Sequence, residues 1–432
     1  MLAGGSLGAM ASLVVGASQQ PPVDGVVAVS PSTFFRGVDA AAAVRRLAVP
    51  VLYVVAAEDT GFPEAVRTLY DETATENKRL LVVSGTGHGH EVLTVPEARA
   101  AVDEFIDERL RGALRRLSSG TSGWERIEPG GATRCARGGR YAFWLRRADP
   151  KRLLVFFQGG GGCFSVETCR PGSAWFDDRI DAYDDPAGGG GLLDFTNPAN
   201  PFRDYSAVYI PSCTGDVHTG SRVVRYGSLR VHQKGFVNAR AAVGRAFAEF
   251  PDPDAVFVTG CSAGSVGSAF HADTIIRRYR DARVTQVGDS LAFVFHRPVN
   301  LADWGTHGHF PRWFRPTRPR QRWTMVEFIR GLARAHPRQT FARFNHASDR
   351  VQLAFYRAVG GRPAGFSPRL RSAERELKRL PNYRSYLACG TEHCAFQGDE
   401  FYSLRVNGMP LRDWVADLAA GRDVECPTCR AR

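Results

Sequence analysis

The pentapeptide Gly260-Cys-Ser-Ala-Gly264 stands between an apolar run, Ala255-Val-Phe-Val258, and a helical pattern from Val266 to Tyr279. A strand that turns into a helix within so few residues needs glycine at the flanking positions, where a side chain would clash. Such a turn lifts the central hydroxyl above the end of a sheet, the geometry of a nucleophile elbow. This feature commits the surrounding chain to an α/β layout with a parallel sheet. Further short apolar runs agree with it: Leu153–Phe157, Ala207–Ile210 and Val284–Val287 around the elbow, and Val26–Val29, Val51–Val55 and Leu80–Val83 earlier in the chain. Strands alternating with helical patterns predict a doubly wound sheet covered on both faces. One helix is read over residues 97–111, with Thr94 and Glu97 as its capping box.

The chain of 432 residues is long enough for two cores, and its composition changes along its length. Residues 1–116 hold 11 basic and 14 acidic residues, whereas the remainder holds 45 and 30, so the net charge of +12 resides in the second part. All nine cysteines lie beyond residue 134. A polar stretch, Leu117-Ser-Ser-Gly-Thr-Ser-Gly123, reads as a linker and sets the domains at 1–117 and 118–432. No apolar stretch reaches the roughly 20 residues of a membrane span. The basic residues are almost all arginine and are scattered, unlike the clustered charge of nucleic-acid binders. The exception is 312–323, with Arg312, Arg315, Arg318, Arg320 and Arg322 among Trp313, Phe314 and Trp323. That segment carries a second reading, a non-catalytic binder of acidic polysaccharide.

Ser262 as nucleophile needs a base and an orienting acid. In this layout they follow in the order serine, acid, histidine. His271, His296, His307, His309, His336 and His346 come too early if the acid lies late, which leaves His393 after Asp349. Asp289 directly follows a strand and is the alternative acid, its other role being to cap the next turn. The run Gln158-Gly-Gly-Gly-Gly-Cys163 follows Leu153–Phe157. Bare amides there, on Gly160 or Gly161, together with that of Ala263, form the expected oxyanion donors. The run lacks the Lys-Ser/Thr ending of a phosphate-binding loop.

These residues carry a resemblance. Phe156-Phe-Gln-Gly-Gly-Gly-Gly-Cys163, Cys169, Tyr209-Ile-Pro-Ser-Cys-Thr-Gly-Asp-Val-His218, the elbow, Gly288-Asp-Ser290 and Gly390-Thr-Glu-His393 together resemble the pectin acetylesterase/Notum family over about residues 124–430. The resemblance implies an α/β-hydrolase fold and ester hydrolysis, with O-deacetylation of a carbohydrate such as pectin as the expected reaction. It matches Ser262, Asp349 and His393 to the triad and requires no cofactor or metal. It also implies secretion and disulfides, with Cys163/Cys169 bracketing the glycine loop, Cys389/Cys394 bracketing the histidine, and Cys261 left free. The rival reading of the late cysteines is zinc held by Cys389, Cys394, Cys426 and Cys429.

The first part repeats the elbow pattern in Gly4-Gly-Ser-Leu-Gly8, with Asp59 after Val51–Val55 and His88 in Gly85-Thr-Gly-His-Gly89. It resembles the C-terminal portion of dienelactone-hydrolase-like esterases. Strands that would precede the elbow do not appear in the sequence, so Ser6, Asp59 and His88 are expected to be a degenerate, inactive triad. Residues 1–20 read alternatively as a signal peptide, but no Lys or Arg precedes Arg36 to form its basic start.

Overall fold

The computed structural model describes residues 1–19, 23–118, 123–290, 302–314 and 324–429. They gather into two compact units, Met1–Thr121 and Ser122–Arg432.

In the first unit four parallel strands, β1 (Leu2–Gly5), β2 (Val26–Val29), β3 (Val51–Ala56) and β4 (Lys78–Val83), lie side by side in chain order. Alternation along each strand sends side chains to opposite faces. Val26, Ala28, Val51, Tyr53 and Val55 pack with Met10 and Leu13 of α1 (Leu7–Gly16), Val44 of α2 (Ala40–Val44) and Leu69 of α3 (Phe62–Glu72). Val27, Val29, Leu52 and Val54 pack on the other face with Val102 and Phe105 of α4 (Pro96–Ser118). Thr94 does not cap α4. Pro96 occupies the first helical position, where its missing N–H costs nothing, and Thr94 Oγ1 donates to the carbonyl of Glu91 instead. The segment weighed as a signal peptide supplies β1 and α1, with Ala9, Met10 and Leu13 fully buried.

The second unit is built on eight strands: β5 (Trp124–Ile127), β6 (Phe143–Arg146), β7 (Asp149–Phe157), β8 (Tyr205–Ile210), β9 (Ala255–Cys261), β10 (Arg283–Asp289), β11 (Thr340–His346) and β12 (Tyr383–Ala388). Their order across the sheet is β12-β11-β10-β9-β7-β8-β6-β5. The six from β12 to β8 are parallel, and β6 and β5 continue antiparallel. Helices α5 (Gly235–Glu249), α6 (Ala263–Arg278) and α7 (Met325–Ala335) bury one face through Ala239, Val266 and Phe328. After α8 (Arg350–Ala358), helices α9 (Phe366–Leu377) and α10 (Leu411–Ala419) cover the other through Leu370 and Trp414. This is the α/β-hydrolase arrangement, and β9, which carries the elbow, is central.

Among the described residues, no helix is long and apolar enough to cross a membrane. Of the stretch 312–323, residues 315–323 lie outside the described residues, as does His296. Trp313 donates its indole N–H to Asp273 Oδ1 at 2.8 Å, and Phe314 packs edge-on against Phe328. Those two rings therefore serve the core beside α7.

Candidate active site

Ser262 sits between β9 and α6 with φ 54° and ψ −118°, a left-handed conformation that non-glycine residues rarely adopt. Two devices hold it there. Its N–H donates to the carbonyl of Asp289 at 2.9 Å, and the Ser265 hydroxyl donates to the carbonyls of Gly260 and Asp289. A Cβ on Gly264 would run into the Phe157 carbonyl of the neighbouring strand, and one on Gly260 into the Gly264 carbonyl. The glycines of the motif are thus demanded by close backbone approach.

Asp349 and His393 come together. Asp349 is fully buried at the N-cap of α8, where Oδ1 accepts from the Gln352 N–H at 2.9 Å. Its Oδ2 accepts from Gln352 Nε2 at 2.9 Å and from His393 Nδ1 at 2.7 Å. Because a carboxylate only accepts, Nδ1 carries the ring proton and Nε2 is left as the acceptor. Nε2 is buried and has no hydrogen-bond partner among the described residues. A ring nitrogen of His393 lies within 4.8 Å of the sulfurs of Cys261 and Cys394, which brings the imidazole beside the elbow. Ser262 and His393 line one cleft.

Asp289 has a different job. It is fully buried, and its Oδ1 accepts from the Ser290 hydroxyl at 3.0 Å while Oδ2 accepts from the Phe396 N–H at 2.8 Å. The Ser290 hydroxyl oxygen in turn accepts from the Cys394 N–H at 2.9 Å. The pair fastens the backbone that follows His393. Burial pushes the Asp289 carboxyl up to about 7.

The glycine loop crosses the cleft floor. Gly161 has φ 65°, and a Cβ there would strike the Trp175 carbonyl. The loop is pinned by Gly162 N–H to Trp175 carbonyl at 3.0 Å and by Asp177 N–H to Gly160 carbonyl at 3.1 Å. Neither the Gly160 nor the Gly161 N–H is used by a backbone acceptor among the described residues, so both remain available. The Ala263 N–H, in the first turn of α6, has no acceptor within its helix.

The Cys-Thr-Gly-Asp-Val-His segment is architectural. Asp216, fully buried, accepts from the Thr214 hydroxyl at 2.7 Å and the Gly235 N–H at 2.8 Å, which ties the loop after β8 to the start of α5. His218 Nε2–H donates to the Gln158 carbonyl at 2.9 Å and so anchors the glycine loop. Burial lowers its imidazole to about 4 and keeps it neutral.

Trp175, Phe176, Tyr183 and Phe355, none of them read from the sequence, supply with Tyr209 the aromatic walls of the cleft, whose volume is about 440 Å³. Tyr209 comes from the end of β8 and Phe355 from α8, whereas Trp175, Phe176 and Tyr183 belong to a stretch that no motif marks. Asp177, its carboxyl raised by burial and by Asp181, also lines the cleft, and burial raises the Asp184 carboxyl to about 6.

The cysteine expectations need correction. The bridges are Cys135–Cys213, Cys163–Cys169, Cys261–Cys394 and Cys389–Cys429, and Cys426 is free. Cys163/Cys169 pairs as expected. Cys389 pairs with Cys429 because residues 427–429 run beside β12, with Cys429 N–H donating to the Leu387 carbonyl at 2.8 Å. Cys394, drawn inward by Ser290, meets Cys261 rather than Cys389. Three of the four sulfurs offered for zinc are therefore in disulfides.

In the first unit Ser6, Asp59 and His88 also meet. His88 Nδ1–H donates to Asp59 Oδ2 at 2.9 Å, and the Ser6 hydroxyl donates to His88 Nε2 at 2.9 Å.

The pectinacetylesterase family model matches residues 128–306. A palmitoleoyl-protein carboxylesterase NOTUM from Schmidtea mediterranea is 27% identical over 153 residues, 34% of this chain and 29% of that protein. The chain thus spans under a third of that relative's length. Among solved structures, the Wnt deacylase Notum from Drosophila is similar over 71% of this chain and 97% of its own, with 18% identity and a TM-score of 0.49.

Proposed function

We propose that the second unit, whose residues 128–306 match the pectinacetylesterase family model, is a serine carboxylic-ester hydrolase and that its substrate is an O-acetylated carbohydrate such as pectin. The observation that carries the reading is the 2.7 Å bond from His393 to Asp349 beside a cleft shared with Ser262 and the glycine loop. His393 Nε2 takes the proton as Ser262 Oγ adds to the ester carbonyl. The new oxyanion is met by the amides of Gly160 or Gly161 and of Ala263. Nε2 then returns the proton to the departing alcohol, and a water repeats the sequence to release the acid. Asp349 holds the ring and its charge throughout, and no cofactor is needed.

Aromatic walls beside a cleft of a few hundred cubic ångströms support a carbohydrate as the alcohol, because sugar rings present flat apolar faces to such side chains. Four disulfides favour an oxidising compartment, extracellular or periplasmic. The test is acetate release from acetylated pectin, with p-nitrophenyl acetate as the simple ester. Ser262→Ala must abolish release from pectin. Undiminished release would refute the assignment, and hydrolysis of the simple ester alone would refute the carbohydrate.

A further inference from the structure

We propose that the first unit holds a second, independent hydrolytic centre, Ser6–His88–Asp59, that acts on neutral carboxylic esters with an apolar acyl or alkyl part. Ser6, Asp59 and His88 are expected from the sequence to be inactive, whereas the structure assembles all three reacting groups. Ser6 has φ 54° and ψ −121° at the start of α1, within a few degrees of Ser262. Its N–H donates to the Val29 carbonyl of β2 at 2.8 Å, as that of Ser262 does to the carbonyl ending β10. The serine, imidazole and carboxylate are joined by two bonds of 2.9 Å. This chain is continuous from nucleophile to acid.

The site is built rather than accidental. The Glu58 N–H donates to the Gly85 carbonyl at 3.1 Å, and the Glu58 carboxylate accepts from the Gly85 N–H, so the acid loop and the histidine loop are clamped together. Phe62 packs on the His88 ring with centroids 4.1 Å apart. The Asp59 side chain is 7% exposed and that of His88 36%, which leaves the base within reach of a substrate. Ser6 Oγ can therefore add to an ester carbonyl while its proton passes to His88 Nε2. The tetrahedral oxyanion faces the Leu7 N–H in the first turn of α1. Collapse expels the alcohol with that proton, and water cleaves the acyl-serine to acid and free enzyme.

The chemistry of the surroundings sets the substrate class. Segment 30–39 leaves β2 at the same sheet edge as Ser6 leaves β1. It presents Phe34 and Phe35, which are exposed, as Leu7 is beside the nucleophile. Glu58 and Glu91 set acidic side chains beside His88, through bonds to the Gly85 and His88 N–H groups, which disfavours anionic substrates, and Arg36 is packed over the Phe35 ring. An uncharged, apolar ester fits this edge.

The full chain carrying Ser262→Ala is treated with an alkyl fluorophosphonate, whose fluoride a serine oxygen displaces, and its intact mass is followed. The expected result is one adduct, mapped to the peptide containing residue 6, and residual hydrolysis of p-nitrophenyl butyrate. Both vanish in Ser6→Ala/Ser262→Ala, and labelling slows at least about 100-fold in His88→Gln/Ser262→Ala. No adduct on a Ser262→Ala chain whose β3 amides remain protected from hydrogen exchange would overturn the proposal. So would labelling as fast without His88 as with it. Labelling of Ser6→Ala at Ser262 reports separately on the second unit.

Discussion

The two serine elbows share a backbone and differ in their neighbours. Each elbow serine is held near φ 54°, and each first glycine sits where a Cβ would strike the carbonyl of the last one. Beyond that the environments part. At Gly264 the adjacent strand β7 passes so close that a side chain would meet the Phe157 carbonyl, and the same strand delivers the glycine loop. At Gly8 a Cβ would meet nothing within 4 Å, and among the described residues no strand pairs with the far side of β1. The histidines differ in the opposite sense: His88 Nε2 is bonded to its serine, and His393 Nε2 has no hydrogen-bond partner among the described residues. The local turn therefore needs only its own glycines, whereas the glycine loop depends on the strand that runs beside the elbow strand.

The sharpest way to break this comparison is to silence one elbow at a time. In a Ser6→Ala background, Ser262→Ala should lower kcat for p-nitrophenyl acetate by about 10⁴-fold or more. If both single variants leave the rate unchanged, neither elbow is catalytic. The acids come next. Asp349→Asn should cost about 10⁴ in kcat by disturbing the imidazole tautomer, while Asp289→Asn, which shifts only the loop behind the ring, should cost less than about 10². Equal losses would make Asp289 a direct partner of the histidine.

The last glycines should then separate the two frameworks. Gly264→Ala should destabilise the second unit by about 3 kcal/mol or prevent its folding, whereas Gly8→Ala, inside α1 with open space, should stabilise the first by about 0.5–1 kcal/mol. Thermal unfolding of both variants reads the difference. The smallest effect concerns pH. Asp289 titrates near 7 in the fold against about 4 unfolded. The native state therefore binds the proton more tightly, and the stability linked to it is present below about pH 4 and lost as pH rises through 7. Asp289→Asn removes that term, so its stability relative to the parent should improve between pH 5 and pH 8. A constant difference would place the carboxyl elsewhere on the scale.

Strands and elbows were legible because a short apolar run and a glycine-framed turn report local necessity. Each such run in the second unit lies in a strand, and the helix after the elbow begins at Ala263, three residues before its expected start. The choice between Asp349 and Asp289 was harder, since each follows a strand and each suits a cap. Asp349 in fact caps α8 and holds the histidine at once, which no spacing rule separates. The pairing of Cys389 with Cys394 that the resemblance implies does not form, because the fold lays residues 427–429 along β12 and draws residue 394 towards Ser290. The aromatic cleft walls were invisible for a related reason: segment 173–183 has no periodicity, and its rings acquire meaning only where the glycine loop stops them.

The strip formed by residues 427–429 has a further effect on the order in which the protein matures. It is joined to Cys389, four residues before the imidazole at 393, so the ribosome delivers the brace only after the loop it braces. Until then the outer border of β12 is open to whatever strand is nearest, including that of another nascent chain. Closure of this late clasp therefore both fixes the start of the loop that carries His393 and shields that border from stray strands.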